Sequence, residues 1–92
     1  MKARIHVWIY GDVHGVFFRM AIRTKANLLG ITGWVKNVPE GIEALFEGEK
    51  ENVESLINFC HEGPEGAFVD RVKTQEGKYR GDFMDFDIKG RQ

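Results

Sequence analysis

The fold is decided by a passage that reads ARIHVWIYGDVHGVFFRMAIRTKANLLG from residue 3 to residue 30. In its first part, Ile5, Val7 and Ile9 alternate with polar or aromatic residues, which is the two-residue period of a half-buried strand. In its second part, apolar residues recur at helical spacing until Gly30 ends the run. These residues are Phe18, Ile22, Ala26 and Leu29. The passage therefore predicts a strand, a glycine-containing loop and a helix.

After Gly30 the sequence predicts a hairpin and a second helix. Residues 31–36 are rich in β-branched and aromatic types, and residues 37–41 have turn chemistry before a second extended run at 42–47. A helical apolar face then follows, and Gly63-Pro64 prevents its continuation. That face consists of Val53, Leu56, Ile57 and Cys60.

Two more strands complete the predicted fold. Residues 68–75 are a predicted strand, residues 77–81 a turn, and Met84, Phe86 and Ile88 alternate with aspartates in a last strand. The order is β-α-β-β-α-β, in which the last two strands can divide the final pairing between them. It predicts an α+β, ferredoxin-like sandwich, in which two helices cover one face of an antiparallel sheet and the other face is open. Because no repeat or linker interrupts the chain, we expect one domain over residues 1–92.

The composition argues against several classes of function. A net charge of −1 over 92 residues supplies no overall positive field for nucleic acid or an anionic membrane surface, and no apolar stretch approaches the length of a membrane span. Cys60 is the only cysteine, so no disulfide can form within the chain, and we expect a cytoplasmic protein. We expect the Cys60 side chain to be buried as a small hydrophobic group. The histidines lack the paired spacing of a zinc site, so no metal is expected.

The loop from Gly11 to Arg19 is a candidate anion site. It joins a predicted strand to a helix, where unpaired N–H groups and the positive end of the helix face outward. Its glycines let the backbone curl around phosphate oxygens, and Arg19 adds a permanently charged fork. Such loops are common, and an arginine near a helix start is often only solvated, so composition leaves both interpretations open.

Asn37 is a second candidate, because it ends a predicted strand and its amide can donate and accept hydrogen bonds simultaneously. An asparagine in this position can also serve only to stabilise the turn through the backbone. A functional interpretation requires both segments together.

The two segments GDVHGVFFR, residues 11–19, and GWVKN, residues 33–37, resemble the paired signatures of the acylphosphatase family. The first family motif is normally written with Val-Gln-Gly-Val ahead of an aromatic residue and an arginine. The resemblance extends over essentially the whole chain and includes Gly63-Pro64 and the closing Phe86 and Ile88.

This resemblance implies hydrolysis of an acyl phosphate to a carboxylate and inorganic phosphate, without a metal or organic cofactor. Arg19 matches the phosphate-binding arginine of the family, and Asn37 matches the asparagine that orients the attacking water. We expect a monomer with a small-molecule acyl phosphate as its partner, and neither nucleic acid nor membrane. The residues that match the phosphate cradle are Val13, His14, Gly15, Val16, Phe17, Phe18 and Arg19.

The chain departs from the family pattern in two places. His14 stands where the family usually has glutamine, and the turn after Gly41 appears one residue shorter than usual. We expect His14 to fill the structural role of the glutamine in holding the loop, rather than to add a charge beside the phosphate. The shorter turn is expected to move the tip of the hairpin without moving Asn37.

Two other functions remain as alternatives. A noncatalytic module could bind a phosphorylated or carboxylate ligand in the same cradle. An RNA-binding domain could stack bases on Trp8, Tyr10 and Trp34, but the strand at 42–47 has two carboxylates and no lysine or arginine. Cross-strand packing of the aromatic residues is therefore the preferred interpretation. Asp82, Asp85 and Asp87 are expected to form a solvated acidic face.

Overall fold

The computed structural model describes residues 1–90 and contains one five-stranded sheet and two α-helices. The strand order across the sheet is β4-β1-β3-β2-β5. Every helix and strand predicted from the sequence is found, and the architecture is the expected ferredoxin-like α+β fold. The elements are β1 (Lys2–Asp12), α1 (Phe18–Leu28), β2 (Thr32–Val38), β3 (Gly41–Glu49), α2 (Lys50–Glu62), β4 (Phe68–Gly77) and β5 (Phe86–Lys89).

The sheet is mixed, whereas the sequence predicted an antiparallel one. The pairs β1–β3, β1–β4 and β2–β3 are antiparallel, but β5 lies parallel to β2. Strand β4 lies at one edge of the sheet, and the connection that follows it crosses to the opposite edge. Because this connection crosses at the end of the sheet where β4 stops, β5 runs back in the direction opposite to β4, which is the direction of β2.

Both helices pack on the sheet face that carries Val7, Ile9 and Phe46. The two helical stripes predicted from the sequence supply the facing side chains, and their most buried members are Phe18, Ile22, Ala26, Val53, Leu56 and Cys60. Burial raises the pKa of the Cys60 thiol to about 12. Cys60 therefore packs as a small, unreactive hydrophobe, as expected.

The opposite face of the sheet is covered at one end, although the sequence predicted that it would be open. Residues 78–85 cross it, and the backbone N–H groups of Arg80 and Gly81 donate to the Glu47 carboxylate at 2.9 and 3.1 Å. Arg4 Nη1 donates to the same carboxylate at 2.8 Å. Met84 lies in this crossing segment and is 92% exposed, so its predicted place in the last strand is wrong.

Glu47 is fully buried beneath the crossing segment. Burial opposes ionisation of its carboxyl group, but the hydrogen bonds from Arg80, Arg4 and Gly81 outweigh that effect and hold the pKa of Glu47 below its usual value. A charged glutamate thus anchors the connection between β4 and β5 to the sheet.

Candidate active site

The loop between β1 and α1 curls through two residues in the left-handed region. Gly15 has φ of 73°, and Phe17, which precedes the helix, has φ of 57° and ψ of 29°. The first helical hydrogen bond runs from Ala21 N–H to the Phe17 carbonyl at 3.0 Å. Left-handed residues in such a loop can turn successive N–H groups toward one concavity, which suits an anion.

The backbone N–H groups of residues 15–20 donate to no protein acceptor within the described chain, residues 1–90. Phe17 forms no side-chain cap to satisfy them. Since these groups lie at the positive end of α1, an oxyanion there would satisfy several donors and the helix dipole together.

A cavity of about 440 Å³ lies against this loop. It brings together Arg19, from the first turn of α1, and Asn37, from the penultimate position of β2. Two of the predicted cradle residues, His14 and Val16, lie outside the lining. The lining residues are Val13, Gly15, Phe17, Phe18, Arg19, Met20, Asn37 and Ile88.

The Arg19 side chain is half-buried at the wall of this cavity. Its Nη1 donates to the Gly90 carbonyl at 3.3 Å, a long and exposed hydrogen bond. A guanidinium has five N–H donors, so this contact leaves most of them available to an anion. Arg19 therefore combines a fixed charge with spare donors at the mouth of the loop.

His14 lies outside the cavity lining and contacts the β2–β3 hairpin. Its Nε2 lies 2.6 Å from the Gly41 carbonyl oxygen, and because a carbonyl only accepts, Nε2 carries the hydrogen. The hairpin turn is Pro39–Glu40, since Val38 pairs with Gly41. The turn thus precedes Gly41, and its predicted place after Gly41 is wrong, because Gly41 already begins β3.

The aromatic residues of the sheet pack against one another and against cations. His6 stacks on Trp8 with ring centroids 4.0 Å apart, and its ring meets Trp34 edge-on at 5.8 Å. Lys73 lies over Trp8 and Lys89 over Trp34, at 5.2 and 4.7 Å from the ring centroids. The sequence analysis expected the aromatic residues of the sheet to pack on one another across strands. Trp8 and Trp34 instead pack against His6 and against lysines of the neighbouring strands, which the sequence argument had not considered.

The cavity wall is uncharged apart from Arg19. Among residues 1–90, its lining includes no histidine, aspartate or glutamate. No group of three or more potential metal-ligating His, Cys, Asp or Glu residues occurs in the same range. Asp82, Asp85 and Asp87 are exposed, as expected for a solvated face.

Sequence reasoning missed Met20 and assigned Ile88 to the family pattern only. Met20 lies off the core-facing stripe of α1 and is 51% exposed. An apolar residue outside that stripe was the sequence feature that could have indicated a place in the cavity. Ile88 reaches the cavity because β5 pairs with β2, where Ile88 lies opposite Val35, two residues before Asn37. That pairing joins strands that are distant in the sequence, so no local sequence pattern predicts it.

The fold is that of ferredoxin-like α+β domains, and its strand-to-helix loop carries backbone N–H groups without a protein acceptor among residues 1–90. A sequence model of the acylphosphatase family matches residues 5–88. The chain therefore belongs to the acylphosphatase family and is an enzyme of that type. No helix in the part of the chain that the structure describes is long and apolar enough to cross a membrane.

Individual relatives agree with this assignment. The chain is similar to an acylphosphatase from Geobacter sulfurreducens, with 48% identity over 90 residues, 97% of this chain and 99% of the relative. Its fold is similar to that of an acylphosphatase from Coxiella burnetii, with a TM-score of 0.90, 39% identity, and coverage of 96% of this chain and 93% of that one. An acylphosphatase from Bacillus subtilis superposes with a TM-score of 0.88 at 26% identity, over 98% and 100% of the two chains.

Proposed function

We propose that this chain hydrolyses acyl phosphates by holding the phosphate in the loop of residues 13–18 with Arg19, and by positioning a water with Asn37. The observation that carries the proposal is that one cavity is lined by Arg19, Asn37 and a loop whose N–H groups have no protein acceptor within residues 1–90. Family membership supports the reaction, and the geometry supports the roles of the individual residues.

The binding step follows from charge. The phosphate oxygens accept hydrogen bonds from the curled backbone and from the Arg19 guanidinium, which is charged at every physiological pH. The N–H donors of the loop are fixed before the substrate arrives, since the folded backbone holds them in place. Preorganised donors stabilise charge that develops on the phosphoryl oxygens without reorganisation during the reaction.

The chemical step needs positioning more than a strong base. A water that hydrogen-bonds to the Asn37 amide attacks phosphorus, the bond from phosphorus to the bridging acyl oxygen breaks, and the carboxylate leaves with the bonding electron pair. One proton of the water passes to a phosphate oxygen, so the products are a carboxylate and inorganic phosphate. This proton route needs no side-chain base, and among residues 1–90 no His, Asp or Glu lines the cavity.

The wider setting of the reaction is also part of the proposal. An acyl phosphate already contains a good leaving group, so we infer turnover without a metal or organic cofactor. We propose a single-domain, cytoplasmic monomer that acts on a small molecule. Nucleic acid is not the proposed partner, because the Trp8 and Trp34 rings already pack against His6 and lysine side chains.

Phosphate release from benzoyl phosphate, measured with purified protein in EDTA, tests this function. Rapid release that is unchanged by added Mg²⁺ is the expected result. Inorganic phosphate that binds, as measured by titration calorimetry, in the absence of any hydrolysis would instead favour the noncatalytic module.

A further inference from the structure

Phe17 is exposed and strained in a way that the fold does not require. Its side chain is 78% exposed, and it is the one residue other than glycine with positive φ among residues 1–90. A bulky side chain in the left-handed region is unfavourable, and an exposed ring gains little from burial. Strain of this kind persists where a site requires it. The backbone of Phe17 shapes the loop, but any short residue tolerant of positive φ would do the same, so the ring itself needs another explanation.

Two further apolar side chains line the same cavity as Phe17. Met20 is 51% exposed and lies off the buried stripe of α1, and Ile88 is half-buried on β5. Both line the cavity that also contains Arg19 and Asn37. An apolar wall from three separate elements, the loop, the helix and the edge strand, thus adjoins the N–H groups of the loop.

The size of the cavity shows that phosphate alone does not fill it. Its volume of about 440 Å³ is within the range of pockets that enclose whole small molecules. A phosphate group has only five heavy atoms, and its contacts are with the loop N–H groups and Arg19. The remaining space has room for the group that is attached to the phosphate, and most of the residues that line the cavity are apolar.

We propose that Phe17, Met20 and Ile88 form a subsite for the acyl group, so that the preferred substrates are acyl phosphates with an apolar, bulky acyl group, such as an aromatic one. This inference rests on the proposed function. Contact with the Phe17 ring and the Met20 thioether removes apolar surface of the acyl group from water. A small acyl group, such as acetyl, leaves these side chains exposed and gains little from them.

The test compares benzoyl phosphate with acetyl phosphate in three variants. Phe17→Asn keeps a residue that tolerates positive φ while removing the ring, and Met20→Ser shortens the second apolar side chain. Leu28→Ser is the matched control, because Leu28 is 80% exposed on the same helix and lies outside the cavity lining. For each protein, kcat/KM is measured on both substrates, and the benzoyl-to-acetyl ratio is divided by that of the wild type. This division cancels the different intrinsic reactivities of the two acyl phosphates.

We expect the ratio to fall about tenfold in Phe17→Asn and in Met20→Ser, the discrimination expected from loss of one apolar contact, and to stay unchanged in Leu28→Ser. Equal losses on both substrates, or no loss on either, would overturn the subsite while leaving the proposed function intact. Wild-type protein that hydrolyses neither substrate would overturn the proposed function and the subsite with it.

Discussion

The imidazole Nε2 of His14 lies 2.6 Å from the carbonyl oxygen of Gly41, so the loop before α1 is tied directly to the hairpin that contains Asn37. Gly41 begins β3 and pairs with Val38, one residue beyond Asn37. The hydrogen bond therefore connects the loop to Asn37 through one strand pair, Gly41 with Val38, of the hairpin. Both the neutral Nε2–H tautomer and the protonated ring can donate it.

Substitution of His14 tests this connection. His14→Ala removes the donor and should lower kcat/KM about tenfold or more, because small displacements of catalytic groups are costly. His14→Gln provides an amide donor and should retain most of the activity. Steady-state kinetics at several pH values separate this role from a charge effect, since a loss in His14→Gln that grows with acidity would show that the imidazolium itself matters.

Glu47 should be a major contributor to stability. Glu47→Gln replaces a buried carboxylate that accepts from Arg4 and from two backbone N–H groups, and leaves the Arg4 charge without its partner. We expect a loss of about 3 kcal/mol in the free energy of unfolding, measured by urea denaturation. Glu49→Gln, at an exposed ion pair with the N-terminus, is the control and should change stability little.

The pH dependence of this effect has a definite sign. Because the pKa of Glu47 is lowered in the folded state, its contribution is complete above its unfolded value, about 4.3, and is lost as pH falls through the folded value. The stability difference between wild type and Glu47→Gln should therefore be constant near neutrality and shrink in acid. A difference that grows as pH falls would contradict the assigned direction.

Gly41 should tolerate no side chain. It has φ of 156°, and a Cβ there would collide with the backbone carbonyl oxygen of Ile9 on the paired strand β1. Gly41→Ala should cost about 2 kcal/mol or more, since neither backbone can move away easily. Gly30→Ala is the control for positive φ alone, because Gly30 has φ of 68° and open space around it. Equal thermal destabilisation in both variants would rule out the collision.

The rate should depend little on pH from about pH 5 to pH 8. No histidine or carboxylate among residues 1–90 lines the cavity, and the proton of the attacking water is proposed to pass to a phosphate oxygen. A plot of log kcat against pH should therefore be flat over this range. A bell-shaped profile with a limb near the ordinary pKa of histidine would indicate a side-chain base and contradict the proton route.

Local patterns in the sequence were sufficient to predict the helices, the core and the strands, apart from the start of the last strand at Met84. The stripes at Phe18–Ile22–Ala26 and Val53–Leu56–Cys60 predict the buried faces, because periodicity alone identifies the side of an element that meets the sheet. The proposed roles of Arg19 and Asn37 came from the family resemblance. Neither residue type, taken alone, distinguishes a site from a solvated surface.

Long-range arrangement escaped the sequence analysis. The parallel pairing of β5 with β2 depends on the path of residues 78–85 across the sheet, and the burial of Glu47 depends on the same path. A glutamate in an alternating strand looks like a solvent-facing residue until the segment that covers it is known. Likewise, the contact of His14 with Gly41 joins residues 27 positions apart.

The central claim is tested most directly by the kinetics of Arg19→Ala and Asn37→Ala with benzoyl phosphate, in variants whose folding is confirmed by circular dichroism. Arg19→Ala should raise KM and lower kcat, with a combined loss of about 10²–10³-fold or more. Asn37→Ala should chiefly lower kcat, because the water and not the substrate loses its partner. Wild-type activity in folded Arg19→Ala would contradict the assignment of the site.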